Sequence, residues 1–274
     1  MPAVIVSVSG ARIAYDDFGS GEPVVFLHAF PLNRTMWAPQ TSALAAEWRC
    51  LTIDTRGFGE STASAPFGVD RYADDVVAVL DHAGVSQATI VGLSMGGYVA
   101  FALWRRAPDR VRALVLADTR ATADAPDAIV RRRELIALAR SNGVNAVADR
   151  QLIGLLGKTT RDRRPEVEAT ARAISESATV DGIVGALEAL IARPDSTATL
   201  PTIVVPTLFI AGEEDVITPP KEARAMHDAV LGSRLEILSR AGHLSNLEAP
   251  AAFNIVLSEF LRESAAGFQG TGLH

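Results

Sequence analysis

Residues 88 to 104 constrain this chain more than any other stretch. Ala88-Thr89-Ile90-Val91 is a short apolar run rich in β-branched residues, as a buried strand requires. Tyr98 to Trp104 is apolar and long enough for a buried helix, and Pro108 stops it. Between them lie Gly92-Leu93-Ser94-Met95-Gly96-Gly97, so the chain must turn sharply from strand to helix. The spacing is G-x-S-x-G, the pattern of a serine exposed on a strained turn. A residue held that way crowds the positions two before and two after it. Gly92 and Gly96 have no side chain to clash, and Gly97 lets the helix pack close. Ser94 is left near a helix N-terminus, where free N–H groups can meet an oxyanion.

The rest of the chain supplies a partner sheet. Val4 to Ser7 and Arg12 to Tyr15 read as an antiparallel pair around a Ser9-Gly10 turn. Val24 to Leu27 is a continuous apolar run, hence a central strand, and a helix over 36–47 follows. Cys50 to Ile53 is another buried strand, and a helix follows from Tyr72 to His82. Its apolar face carries Val76, Val77 and Leu80, with Asp74, Asp75 and Asp81 off it. After the Ser94 turn comes a strand from Val111 to Leu116. This alternation predicts an α/β fold: a mostly parallel, twisted sheet with helices on both faces.

From about Thr119 to Leu200 the alternation breaks, and only helical patterns remain, over 126–140, 144–156, 166–177 and 183–191. The expected organisation is a core over 1–118, a helical cap over 119–200, the core again over 201–263, and a loose tail over 264–274. The second core segment reads as a strand Val204 to Ile210, a helix Pro219 to Val230, a strand Leu235 to Leu238 and a helix Pro250 to Arg262. The cap region contains no Phe, Tyr or Trp, so a lid over the site is expected to be lined by Leu, Ile, Val and Ala. Such a lid fits a small or flexible acyl group.

Composition narrows the class further. A chain of 274 residues that is 48% hydrophobic suits one large domain or one domain with an insertion. The net charge of −6 argues against a nucleic-acid partner. No apolar run approaches a membrane span, and the first ten residues lack the basic start of a signal peptide, so a cytoplasmic location is expected. The single cysteine, Cys50, reads as a core residue. No His/Cys spacing suggests a metal site, and the Ser94 loop lacks the lysine of a phosphate-binding loop, so no cofactor is expected.

Five motifs in order resemble the α/β-hydrolase family across nearly the whole chain outside the insertion and tail. They are His28-Ala29-Phe30-Pro31, Asp54 to Ser61, Gly92 to Gly97, Gly212-Glu213-Glu214-Asp215 with Pro219, and Gly242-His243 with Glu248 and Pro250. The order matches that family's nucleophile, acid, histidine. Ser94 is then the implied nucleophile and His243 the implied general base, then acid. Of the other histidines, His28 reads as a loop brace, His82 and His227 as helix surface or packing residues, and His274 as part of the tail. A carboxylate must orient the imidazole. The resemblance favours Asp215 over Glu213 and Glu214, and Asp118 is the competitor, because some relatives carry the acid after that strand. The implied oxyanion donors are the backbone N–H groups of Phe30 and Met95. Here the chain departs from the usual H-G-x-P: Ala29 stands in the glycine's place.

Asp54, Arg56 and Ser61 are expected to brace a neighbouring loop, and the clusters Arg131-Arg132-Arg133 and Arg161 with Arg163-Arg164 to form solvated helix faces, with an anionic substrate such as a thioester carrier as the alternative. The resemblance implies a serine carboxylesterase acting on a small ester or lactone. Lactonase, carbon–carbon hydrolase and perhydrolase or haloperoxidase-like chemistry stand as alternatives, and the oligomeric state is left open. Relatives with an elbow aspartate, the haloalkane dehalogenases and epoxide hydrolases, do not fit Ser94. A small-molecule-binding protein on a hydrolase scaffold is the non-enzyme alternative, against which the intact Ser94, Asp215 and His243 set argues.

Overall fold

Eight strands form one sheet in the order β1-β2-β4-β3-β5-β6-β7-β8. The computed structural model describes residues 3–8, 10–62 and 67–269. Strands β1 (Val4–Val8) and β2 (Ala11–Phe18) pair antiparallel, and β2 runs antiparallel to β4 (Arg49–Ile53). The rest of the sheet is parallel: β4, β3 (Pro23–Leu27), β5 (Ala88–Leu93), β6 (Val111–Ala117), β7 (Thr207–Gly212) and β8 (Arg234–Leu238). Gly10 of the expected first turn has φ +76°, and Ser9 lies outside the described residues.

The apolar runs are continuous because the parallel strands are covered on both sides. In β3, Val25 and Leu27 enter one core and Val24 and Phe26 the other. Helices α2 (Val69–His82) and α3 (Met95–Arg106) cover the first face, and α1 (Ala38–Leu44) and α10 (Pro250–Gln269) the second. Cys50 is in the second core, where burial pushes its thiol up to about 12.

Between β6 and β7 the described residues form helices and a 3-10 turn, without a strand. Helix α4 (Pro126–Leu155) is broken at Gly143 (φ +78°), which separates the two patterns read at 126–140 and 144–156. α6 (Pro165–Glu176) and α7 (Val180–Ala192) match the other two. The sequence patterns contain no trace of α5 (Lys158–Arg163), whose residues are polar all round. In the second core segment, α8 (Pro220–Ala229) covers β7, and the short α9 (Ser245–Glu248) follows β8.

Two boundaries and one side chain differ from expectation. β7 begins at Thr207, not Val204: Pro206 has no N–H for the ladder, and Val204 is 86% exposed. α10 continues to Gln269, so 264–269 are helical instead of loose. Ser264 is buried there, its hydroxyl donating to Phe260 O at 2.8 Å. Residues 270–274 of the expected tail lie outside the described residues. Finally, Asp75 is not on a solvent face of α2. It is buried in a bidentate pair with Arg56, at 2.5 and 2.7 Å.

Strand order reverses around β3: the chain moves from β3 to β4 on one side, then to β5 on the other. Such switch points leave a crevice at the carboxyl ends of the strands, and Ser94 follows the last residue of β5 there. A Cβ on Gly96 would fall inside contact distance of the Leu27 carbonyl at the end of β3. Because that obstacle is backbone, Gly96→Ala is expected to destabilise the fold by about 1–3 kcal/mol, the usual range for overpacking. A denaturant midpoint equal to the wild type's would contradict this packing.

Candidate active site

Ser94 has φ +54° and ψ −108°, a backbone conformation that L residues rarely hold. Its N–H donates to Ala117 O (2.9 Å), and its carbonyl accepts from Gly97 N (2.9 Å) and the Thr119 hydroxyl (2.9 Å). Gly97 serves that last contact, since a Cβ there would collide with the Thr119 side chain. From Ala88 to Trp104, Ser94 is the one residue that is only partly buried.

His243 lies in the loop after β8, buried, with Nε2 2.8 Å from Ser94 Oγ. Its Nδ1 is 2.8 Å from Asp215 Oδ2, in the loop after β7. An ionised carboxylate only accepts, so Nδ1 carries the proton and Nε2 is free to accept from the serine. Asp215 takes three further hydrogen bonds: Ile217 N (2.8 Å) and Thr218 N (3.0 Å) on Oδ1, and the Thr218 hydroxyl (2.8 Å) on Oδ2. Burial pushes this carboxyl up, but the charge and hydrogen bond of His243, with Thr218, outweigh that and hold it below its ordinary value. For His243, burial pushes the ring down. The charge and hydrogen bond of Asp215, then the charges of Asp118 and Glu248, outweigh burial and raise it.

The structure therefore joins three residues that are distant in sequence, and a family model described as the alpha/beta hydrolase fold matches residues 22–250. The chain belongs to the α/β-hydrolase family. It is 30% identical over 252 residues to 3-oxoadipate enol-lactonase 2 of Acinetobacter baylyi, spanning 91% of this chain and 92% of that protein. It is also 30% identical over 244 residues to the pimeloyl-[acyl-carrier protein] methyl ester esterase of Neisseria meningitidis, spanning 87% and 93%. Among solved structures, a malate-bound thermophilic esterase from Thermogutta terrifontis is 36% identical, covers 96% of this chain and 99% of its own, and superposes with a TM-score of 0.93.

Asp118, the competing acid, makes no hydrogen bond to His243 in this hydrolase. Its Oδ1 accepts from Gly212 N (2.7 Å) and its Oδ2 from the Ser245 hydroxyl. It sits at φ +45°, fully buried. Burial and the Asp215 charge push its carboxyl well above the usual range. It ties together the loops that carry Asp215 and His243. Glu214 is not merely solvated either: it accepts from Thr159 N (2.7 Å), at the start of α5. Glu248 accepts from Gly157 N (2.8 Å) and Leu244 N (3.1 Å), joining the cap to the histidine loop.

His28 is a brace, as expected. Its Nδ1–H donates to Ala29 O (2.9 Å), and its Nε2 accepts from Thr55 N (3.0 Å). Burial pushes the ring down, so both nitrogens are committed in the neutral form. Ala29 has none of the positive φ that would favour the family's glycine. His82 and His227 bond locally, to the Tyr15 hydroxyl (2.9 Å) and the Ser233 hydroxyl (2.8 Å). Asp54 accepts from Arg34 N (2.8 Å) and Glu60 N (2.8 Å), and the Ser61 hydroxyl donates to Asp54 O (2.7 Å), a loop brace as expected. The partner Arg34 carries no sequence signal.

Phe30, Ser94, Met95 and His243 line one cavity. Met95 opens α3, so its N–H lacks an intrahelical acceptor. The cavity has a volume of about 50 Å³, room for a few waters. Leu155 of α4 and Leu190 of α7 supply the expected aliphatic lining, but Arg132 and Gln151 of α4 line it too, and Arg120 and Tyr98 join them. The aliphatic lid is thus only half right.

The His243 ring should titrate above the ordinary 6.5, because its charged form is the one Asp215 stabilises. Asp215→Asn removes that charge and should lower the ring's midpoint, read from its proton resonances. An unmoved midpoint would contradict the pairing.

Proposed function

We propose that this hydrolase cleaves small carboxylic esters through an acyl-serine, with Ser94 as nucleophile, His243 as general base and acid, and Asp215 as the orienting carboxylate. The observation that carries the reading is the continuous path Ser94 Oγ, His243, Asp215, with 2.8 Å at each step. Ser94 Oγ attacks the carbonyl carbon as its proton passes to His243 Nε2. The oxyanion is received by the N–H groups of Phe30 and Met95. When the tetrahedral adduct collapses, the alkoxide takes the proton from His243 and leaves. Water then gives a proton to His243, attacks the acyl carbon and releases the acid. Residues 119–200 act as the cap.

The compact cavity favours short acyl groups. The malate found with the similar Thermogutta terrifontis esterase is a small acid of that order. Lactone opening is the second reading, favoured by the likeness to the Acinetobacter baylyi enol-lactonase. It uses the same steps with the alcohol left tethered to the acid.

Ser94→Ala is expected to reduce ester turnover by roughly a million-fold and to abolish labelling by a fluorophosphonate. Near-normal turnover would refute the nucleophile, and an unlabelled wild type would favour a binding protein. Asp215→Asn should lower kcat by about 10⁴ and Asp118→Asn by much less; the reverse order would exchange their roles. Only neutral His243 accepts a proton, and its ring is raised. Activity should therefore be full at alkaline pH and fall as pH drops through a midpoint above 6.5. A profile flat from pH 5 to 8 would contradict the base.

A further inference from the structure

The cavity wall facing the Ser94–His243 pair is cationic, although sequence reading assigns Arg131-Arg132-Arg133 to a solvated face. Arg131 fits that description, 65% exposed and paired with Asp127 on its own helix. Arg132 does not: its side chain is 19% exposed and lines the cavity with Arg120, which is 22% exposed. Both bond to Asp124, which is 1% exposed and also takes Arg193 Nη1 at 2.8 Å.

Three guanidinium groups thus share one carboxylate, leaving an excess of two positive charges. Arg193 has other partners: it donates to the carbonyls of Leu190 and Thr122 (2.9 Å each) and lies 4.2 Å over the Tyr98 ring. Glu222 acts on Arg120 through its charge, with no hydrogen bond between them. Asp215 does not line the cavity and is covered by four donors, His243 among them. Arg120 Nε is buried without a hydrogen-bond partner among the described residues. Among the described residues no carboxylate lines the cavity, so an anionic ligand best matches its two arginines. The planar fork of arginine matches a carboxylate edge. Leu155 and Leu190 line the space between, suiting a short aliphatic spacer.

We propose that Arg120 and Arg132 bind a free carboxylate on the substrate, so that the preferred substrates are half-esters or lactones of short dicarboxylic acids. This rests on the acyl-serine reading above. In the test, kcat/KM is measured on monomethyl succinate and dimethyl succinate at pH 8 and low salt. The wild type should favour the anionic half-ester by roughly tenfold or more. Arg132→Gln and Arg120→Gln should each reduce that ratio by roughly tenfold, and Arg132→Lys, which keeps the charge but not the fork, should fall between. A wild-type ratio at or below one overturns the proposal even where a variant fails to fold. A ratio unchanged in both glutamine variants overturns the assignment to these arginines. Turnover and fluorophosphonate labelling with a ratio at or below one would remove the carboxylate site alone; loss of both would remove the acyl-serine reading with it.

Discussion

The strained backbone at Ser94 is the constraint on which the rest of this structure depends. A non-glycine residue at positive φ costs on the order of 1–3 kcal/mol and persists only where its surroundings over-determine it. Here the ends of three parallel strands do so. β6 accepts the Ser94 N–H through Ala117 O, Thr119 holds its carbonyl, and the Leu27 carbonyl of β3 leaves room at Gly96 for hydrogen alone. The turn cannot relax without disturbing the centre of the sheet. As a result one hydroxyl stands clear in a segment that is otherwise buried.

Around that hydroxyl the buried charges divide by position. Asp215 and Asp118 both follow parallel strands, both are buried, and the charge of Asp215 helps to raise the carboxyl of Asp118. Only Asp215 has its carboxylate against the imidazole, with four donors to stabilise the anion. Asp118 accepts instead from Gly212 N and the Ser245 hydroxyl, so it supports the two loops from below. Glu214 and Glu248 extend the same loops upward into the cap, binding Thr159 N and Gly157 N at the start of α5. The start of α5 is thereby anchored to the segments that carry His243 and Asp215. Enclosure of the cavity and alignment of the relay share the same backbone.

Much of this was legible in the sequence. Continuous apolar runs marked the parallel strands because both faces of the sheet are covered, and the glycine pattern marked the strained turn at Ser94 because its glycines have no steric substitute. Gly143 sat between two helical patterns and proved to be the break between them. The errors share a cause. Helical periodicity placed Asp75 off the apolar face, and it cannot see that Arg56 meets it there. Helix α5 has no apolar stripe, because it is held by Glu214 and Glu248 at its N-terminus and not by a buried face. Arg132 shares an arginine run with two exposed neighbours and differs from them only in the direction it faces.

The sequence by itself determined the α/β sheet and the strained turn at Ser94, since these follow from local sterics and from apolar periodicity along the chain. The tertiary structure alone decided which of two buried aspartates meets His243, and that Arg120, Arg132 and Arg193 gather on Asp124. Those outcomes depend on the crossing of segments many residues apart, and whether a charge is solvated, paired or left facing a cavity is set by those crossings and not by its neighbours in sequence.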